Sequence, residues 1–362
     1  LTTAFFAWNF YTAVCLVEDS KACGGWGYVS DEVWYVSSAR NLLRDFYGLH
    51  SNSEYATVSA LTLKGYSAFT GLAREENLHL KPYLKTLRKD AVRNWVLEAD
   101  GWTLSRIKSL PDVEVQQGYP YPDKGYIMEY TNLEHPPLVK YILMTVLLVK
   151  DDPLAWKIPS LILGACILIL AWLTAFKLTG SSSIAILAPF LLVWDESFRA
   201  MSLVAMLEIY LAFFSILALY FAVSGRINSS AVSLGLATSC KVSGLFCLPA
   251  FILAFKKRGI QLLLALLIIA LIYANMAAPV ISYLGGIPNW FNQFLWNVGY
   301  HTAKKGGLAP QTTPLGLLLG LNSFSIAPGF QAVANPALTL TAASSTLLLC
   351  LLYTSPSPRD RG

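Results

Sequence analysis

Between Pro153 and Pro358 the chain carries only three acidic residues, Asp195, Glu196 and Glu208, within long runs of Leu, Ile, Ala and Phe. Uncharged segments of that length, separated by short basic turns, read as a series of membrane-crossing helices, each needing about 20 apolar residues. Of the 362 residues 55% are hydrophobic and 14% charged, whereas soluble domains carry about a quarter charged residues. The pattern therefore points to an all-α, polytopic membrane protein. Its net charge of +5 belongs to orientation in a bilayer and to membrane lipid as a partner, not to nucleic acid.

The opposite composition is concentrated in one insertion, Glu18 to Pro137, which holds most of the chain's 22 acidic residues. Ordinary connections run about 4–6 residues, and loops far beyond that length are functional or form domains of their own. The chain thus divides into an apolar segment at 1–17 that spans only if residues precede it, a large catalytic loop at 18–137, and an apolar remainder at 138–353. That remainder includes an outer loop at about 284–313, and a polar tail at 354–362, cytoplasmic or non-native, is set aside. The six cysteines show no C-x-x-C spacing, so neither a zinc site nor a disulfide framework is indicated.

Within the loop, Ser30 is placed to cap a helix from Asp31 to about Tyr47, and Thr57–Asp100 reads as surface helices lying along the headgroups. Pro137 fits the first turn of a helix to about Val149, too short to cross and therefore interfacial. Crossings are expected near Ala155–Leu178, Ile184–Trp194, Tyr210–Val223, Ser229–Lys241, Val242–Phe255, Ile260–Tyr283 and Leu338–Tyr353, while Leu315–Leu321 is ambiguous. With the loop outside, Lys177, Arg226 and Lys256-Lys257-Arg258 all fall on the opposite face. Positive charge concentrates on the cytoplasmic side, so the loop is expected to be non-cytoplasmic. The same count brings Asp195 to Glu208, Lys241 and His301 to the loop's side of the membrane.

These polar residues are the candidates for chemistry. Asp31 and Glu32 sit where acids offset a helix dipole, or where a carboxylate accepts a proton from an acceptor hydroxyl. Neighbouring positions point about 100° apart, so one should act as base while the other binds backbone or orients the acceptor. Glu134-His135-Pro136-Pro137 is a rigid corner that fixes two ionisable side chains, or a capped helix start. Asp195 and Arg199, four apart, can pair on one helical face. Glu208 lies in the apolar run Ala205-Met206-Leu207-Glu208-Ile209-Tyr210-Leu211, where a charge needs a partner or a water-filled cavity. Lys241 either snorkels to the interface or holds an anionic headgroup; His301 reads first as an interfacial residue. Phosphate-binding glycine loops, nucleophile elbows and zinc motifs are absent.

Taken in order, Asp31-Glu32, then Glu134-His135-Pro136-Pro137-Leu138-Val139-Lys140, then Asp195 with Met206-Leu207-Glu208, then Cys240-Lys241-Val242-Ser243-Gly244-Leu245, resemble the dolichyl-phosphate-mannose protein mannosyltransferases. These belong to the polytopic GT-C class of glycosyltransferases. Tyr300-His301 and the Thr313-Pro314 region are similar to a later outer loop of that family. Glu208 stands where the family usually shows Asp. The resemblance implies transfer of a sugar, typically mannose, from a polyprenyl (dolichyl-type) phosphate to a hydroxyl acceptor, a protein Ser or Thr, with inversion. It further implies Asp31 as base, Lys241 with His135 or Arg199 on the phosphate, and Glu134 and Glu208 as orienting groups. No nucleotide cofactor is implied; the carboxylates would admit a divalent metal, which the sequence does not require. The alternatives are an aminoarabinose-type or oligosaccharyltransferase-like enzyme and, from another class, a secondary transporter. A transporter would favour repeated halves and mid-membrane charges, which this sequence does not display.

Overall fold

The computed structural model describes residues 1–18, 26–82, 90–122 and 124–302, with 316, 319, 321, 323–327, 330–333, 335–342 and 344 beyond them. The first helix, α1 (Thr2–Glu18), is apolar nearly all round. The helix α2 (Glu32–Tyr47) starts at Asp31 rather than at a Ser30 cap, and the Asp31 side chain makes no capping hydrogen bond. Gly48 ends it in the left-handed region (φ 63°), its N–H returning to the Arg44 carbonyl, which a residue without a Cβ adopts most readily.

The polar insertion then departs from the expected all-helical form. Among the described residues of the stretch Thr57–Asp100, expected as surface helices, one helix, α3 (Leu63–Glu75), lies among β1 (Tyr55–Ala60), β2 (Lys81–Pro82) and β3 (Arg93–Glu98); α4 (Gly101–Lys108) and β4 (Val113–Gln117) follow. The strands form one antiparallel sheet in the order β2-β3-β1-β4, with Val58 opposite both Trp95 and Val115. The reason is in the side chains. Ala56, Val58 and Ala60 alternate with polar residues, and Val58, Ala60, Trp95 and Leu97 form an apolar face that packs on Phe69, Leu72 and Ile107 of the two helices, while Val96 points into the main core. Lys85, Arg88 and Lys89, part of the same expectation, lie outside the described residues.

Past the insertion the chain is helical again: α5 (Leu138–Val149), α6 (Pro153–Thr179), α7 (Ser182–Ala185), α8 (Leu187–Val193), α9 (Glu196–Met201), α10 (Leu207–Val223) and α11 (Ile227–Cys240). A 3-10 turn, Val242–Cys247, leads to α12 (Leu248–Phe255), a second one covers Lys256–Arg258, and α13 (Ile260–Tyr283) and α14 (Ile287–Thr302) follow. A hairpin of β5 (Ser323–Ala327) and β6 (Phe330–Val333) packs at α9. The bundle is built from α1 on α6, α6 on α10, α10 on α11 and α11 on α13.

Two described helices, α6 and α13, are long and apolar enough to cross a bilayer. In their most apolar stretches only 33% and 22% of residues are buried inside the protein. Exposed Ile162, Ile169, Leu263, Leu264, Leu267 and Leu271 form apolar faces of the kind that lipid covers. The segment expected to cross at Ile184–Trp194 is instead two short helices, and the one at Val242–Phe255 is a 3-10 turn followed by an eight-residue helix. Proline at 189 and the small polar run before it shorten the first; Pro249, in the first turn of α12, marks the break in the second. Most of Leu338–Tyr353, of Leu315–Leu321 and the Thr313-Pro314 region lie outside the described residues, as does the 354–362 tail.

Candidate active site

The chain reaches α2 through a tight passage. Gly27 (φ 68°) and Ser30 (φ 53°) both adopt left-handed backbone, and a Cβ at Gly27 would stand 2.9 Å from Pro153 Cγ. This turn sends Asp31 and Glu32 to different places. Glu32 is fully buried: its Oε2 accepts from Lys157 Nζ at 2.6 Å and from the Val29 N–H at 2.8 Å, and its Oε1 accepts from the Ala205 N–H at 2.7 Å. Burial pushes its carboxyl up, against the pull of Lys157 and the two backbone donors. Every hydrogen-bond partner of Glu32 is thus a group of the protein's own core.

Asp31 is only partly buried and faces charged groups from two breaks in the bundle. Burial and the nearby Glu208 carboxylate raise its carboxyl above the ordinary range, while Lys241 lowers it. Glu208 stands in the first turn of α10, where Ala205-Met206 interrupts the helical backbone. Lys241 is the extended residue (φ −155°, ψ 137°) between α11 and the 3-10 turn. Lys241 Nζ donates to Glu208 Oε1 at 2.8 Å, and both side chains are about one-third exposed, at 34% and 33%. Among the described residues the other oxygen, Glu208 Oε2, is buried and finds no hydrogen-bond partner. The break at Lys241 is held by contact: a Cβ at Gly244 would lie 2.7 Å from Thr238 N, so the turn folds back directly onto the end of α11.

The corner before α5 brings in the remaining groups. The Tyr130 hydroxyl donates to Glu134 and accepts from Asn132 Nδ2. The His135 ring lies 6.0 Å from the ring of Tyr35. Tyr35 joins the two halves: burial raises its phenol most, and Glu208, Asp31 and Glu134 raise it further. A cleft runs along this corner, lined by Glu134, His135, Pro136 and Pro137 on one side and by Val242, Tyr273, Trp290 and Phe294 on the other. Val242, Tyr273, Trp290 and Phe294 also line an apolar groove between α11, α13 and α14, with about 970 Å³ of open volume. The two clefts thus share four side chains.

Of the nine residues picked from the sequence, Asp31, Glu208 and Lys241 form one group and Glu134 and His135 line the cleft, the two joined through Tyr35. Glu32 does not share the cleft. Asp195 is also occupied elsewhere: its Oδ1 accepts from the Phe198 N–H at 2.6 Å as the cap of α9, and its Oδ2 from the Asn335 N–H at 2.9 Å. Among the described residues it makes no ion pair with Arg199, whose guanidinium stacks 3.7 Å from the Trp8 ring centroid and whose buried Nε finds no partner there. The backbone of His301 lies in α14. Tyr35 and Tyr130 were not picked from the sequence. Tyr35 falls four residues after Asp31, on one helical face, and that spacing was the available signal. Among the described residues no group of three or more His, Cys, Asp or Glu side chains is arranged to hold a metal ion.

The part of the chain that supplies Glu208, Lys241 and both walls of the groove is the part with recognisable kin. Residues 154–296 match the family model of dolichyl-phosphate-mannose-protein mannosyltransferase (PMT). The matched region runs from the start of α6 into α14. It supports a GT-C-type glycosyltransferase reaction and agrees with two helices of membrane-spanning length. No curated protein and no solved structure matches the chain.

Proposed function

We propose that the protein transfers a sugar, mannose in the first instance, from a polyprenyl phosphate to a hydroxyl of a protein acceptor, with inversion at the anomeric carbon. The observation that carries this reading is that one set of side chains lines both clefts. A lipid-linked donor has a long apolar tail and a charged, sugar-bearing head, and Val242, Tyr273, Trp290 and Phe294 are shared by an apolar groove and a cleft rimmed with ionisable groups.

In this reading the tail lies in the groove and the phosphate meets Lys241. Only one of the three ammonium N–H groups of Lys241 is engaged by Glu208, so two remain for phosphate oxygens. His135 lines the neighbouring cleft. Asp31 takes the proton of the acceptor hydroxyl as that oxygen attacks the anomeric carbon from the face opposite the phosphate. The bond from carbon to phosphate oxygen breaks, and the electron pair leaves with the polyprenyl phosphate. Its growing charge is what Lys241 stabilises, a preorganised electrostatic contribution of the kind worth about 3–4 kcal/mol. Glu134, fixed by Tyr130, and Glu208 orient the sugar hydroxyls and the cation. The insertion and His301 are assigned to the non-cytoplasmic face, in keeping with the basic turns at Lys177, Arg226 and Lys256–Arg258.

The test is transfer from radiolabelled polyprenyl-phosphate mannose, in membranes containing the protein, to a Ser/Thr-rich acceptor. Asp31→Asn, at matched expression, is expected to lower turnover by about 10²–10⁴-fold, the usual contribution of a positioned base, with donor binding retained. Absence of label transfer from any polyprenyl-phosphate sugar would reject the reading, and near-normal turnover by Asp31→Asn would reject Asp31 as the base.

A further inference from the structure

Lys140 is the third residue of α5 and has no exposed surface. Helix side chains tilt toward the N-terminus, and this one reaches back to donate to the carbonyls of Asn132 and His135. Among the described residues it forms no ion pair with any carboxylate, and burial lowers its amine to about 7, with Glu134 pulling it back up. An ammonium without a counter-ion is an expensive way to fill a core, since its desolvation alone amounts to several kcal/mol. A methionine would fill the same space without that penalty.

What the ammonium does is local. The two carbonyls it holds lie on either side of Leu133 and Glu134, so it pins both ends of the turn that carries Glu134. Asn132 sits in that turn with φ 47°, a conformation that needs outside support in a residue other than glycine. Its side-chain amide meets the same Tyr130 hydroxyl that donates to Glu134. Pro136 and Pro137 then make the exit from the turn rigid.

We propose that Lys140 is a positioning residue, whose ammonium, held between the Asn132 and His135 carbonyls, fixes the turn that presents Glu134 and His135 to the cleft. The activity arm of its test rests on the transferase reading; the structural arm does not. The experiment compares wild type, Lys140→Met and Lys140→Arg as full-length protein in detergent. It reads amide hydrogen exchange over 130–137, thermal unfolding, and transfer from polyprenyl-phosphate mannose. Lys140→Met is expected to speed exchange of 130–137 by at least tenfold, with other regions unchanged and unfolding no earlier than in wild type. Turnover should fall at least tenfold. Combined with Glu134→Gln, the same change should lower turnover by less than threefold more, because both act through one turn. Lys140→Arg, which keeps a cationic donor, should hold exchange within threefold of wild type.

Uniformly faster exchange with earlier unfolding of Lys140→Met would overturn the proposal and make Lys140 an ordinary structural residue. So would tenfold deprotection of 130–137 in Lys140→Arg, or full additivity with Glu134→Gln. A wild-type protein without transfer activity would reject the transferase reading while the exchange data still decide the clamp. An active wild type with Lys140→Met turning over within twofold would reject the clamp alone.

Discussion

The sharpest division made by the structure is between Asp31 and Glu32, and Glu32→Gln tests it. Glu32 is the counter-charge of Lys157, and neither side chain has any solvent exposure. The substitution leaves the Lys157 ammonium with only the Pro153 and Gly27 carbonyls, at 3.3 and 3.4 Å, besides the neutral amide. Removing one partner of a buried pair costs about 3–5 kcal/mol. For a large domain each kcal/mol moves the melting temperature by about 2–4 °C, so a fall of roughly 6–20 °C follows. Unfolding in detergent, followed by tryptophan fluorescence, measures it. Replacing both partners, Glu32→Gln with Lys157→Met, removes the stranded charge and should recover more than half of the loss. Transfer per folded molecule, assayed well below the transition, should stay within about threefold of wild type, far from the fall expected for Asp31→Asn. A melting temperature within about 2 °C of wild type would refute the buried-pair argument. A stable Glu32→Gln that has lost turnover would return the catalytic role to Glu32.

Other expectations follow from the same geometry. Because Asp31 must be ionised to act as base, transfer should fall with decreasing pH through its raised pKa. Lys241 lowers that pKa and Glu208 raises it, so Lys241→Gln should move the acid limb of kcat/KM to higher pH and Glu208→Gln to lower pH; coincident profiles would remove both from Asp31's surroundings. Lys241→Gln should also weaken donor binding and slow transfer together, with only partial rescue by Lys241→Arg, whereas unchanged kinetics would make Lys241 a mere anchor. Gly244→Ala forces a Cβ against the backbone of α11, which costs about 1–3 kcal/mol and should impair transfer by shifting Lys241; wild-type stability and rate would show that the turn gives way freely. A cysteine at Ser53 should react with an impermeant reagent from the non-cytoplasmic side and one at Ser224 should not, and labelling of the second alone would invert the topology.

Much of this was legible in the residues. The 3.6-residue periodicity of Val36, Ala39, Leu43 and Phe46 marked α2, and the acid-free run after Pro153 marked α6 and α13. The polar residues that interrupt apolar runs, Glu208 and Lys241, stand out because a charge there demands a partner, and each is the other's. What was missed depends on pairing across distance. The strands read as helix in sequence because Arg93–Glu98 carries apolar residues on both faces, and β1 pairs with β3 and β4 across more than 30 residues. Asp195 and Arg199 have the spacing of a helical pair, but one Asp195 oxygen caps α9 and the other accepts from the distant Asn335 N–H. The Glu32–Lys157 pair joins residues 125 positions apart, beyond any spacing rule.

Asp151, buried at the threshold of α6, has a consequence for how such a chain is made. Its carboxylate accepts from Arg40 Nε and Nη2, Ser51 Oγ, the Tyr119 N–H and Trp156 Nε1. All of these donors except Trp156 lie in the insertion and are synthesised before their acceptor. Until Asp151 emerges, a guanidinium, a hydroxyl and a backbone amide wait without the group that will gather them, although N-terminal units generally fold first. The insertion is therefore expected to close against the bundle only once α6 has begun to form. A chain stopped ahead of Asp151 should leave Arg40 hydrated and the insertion open to protease, and extension through Trp156 should restore protection in one step.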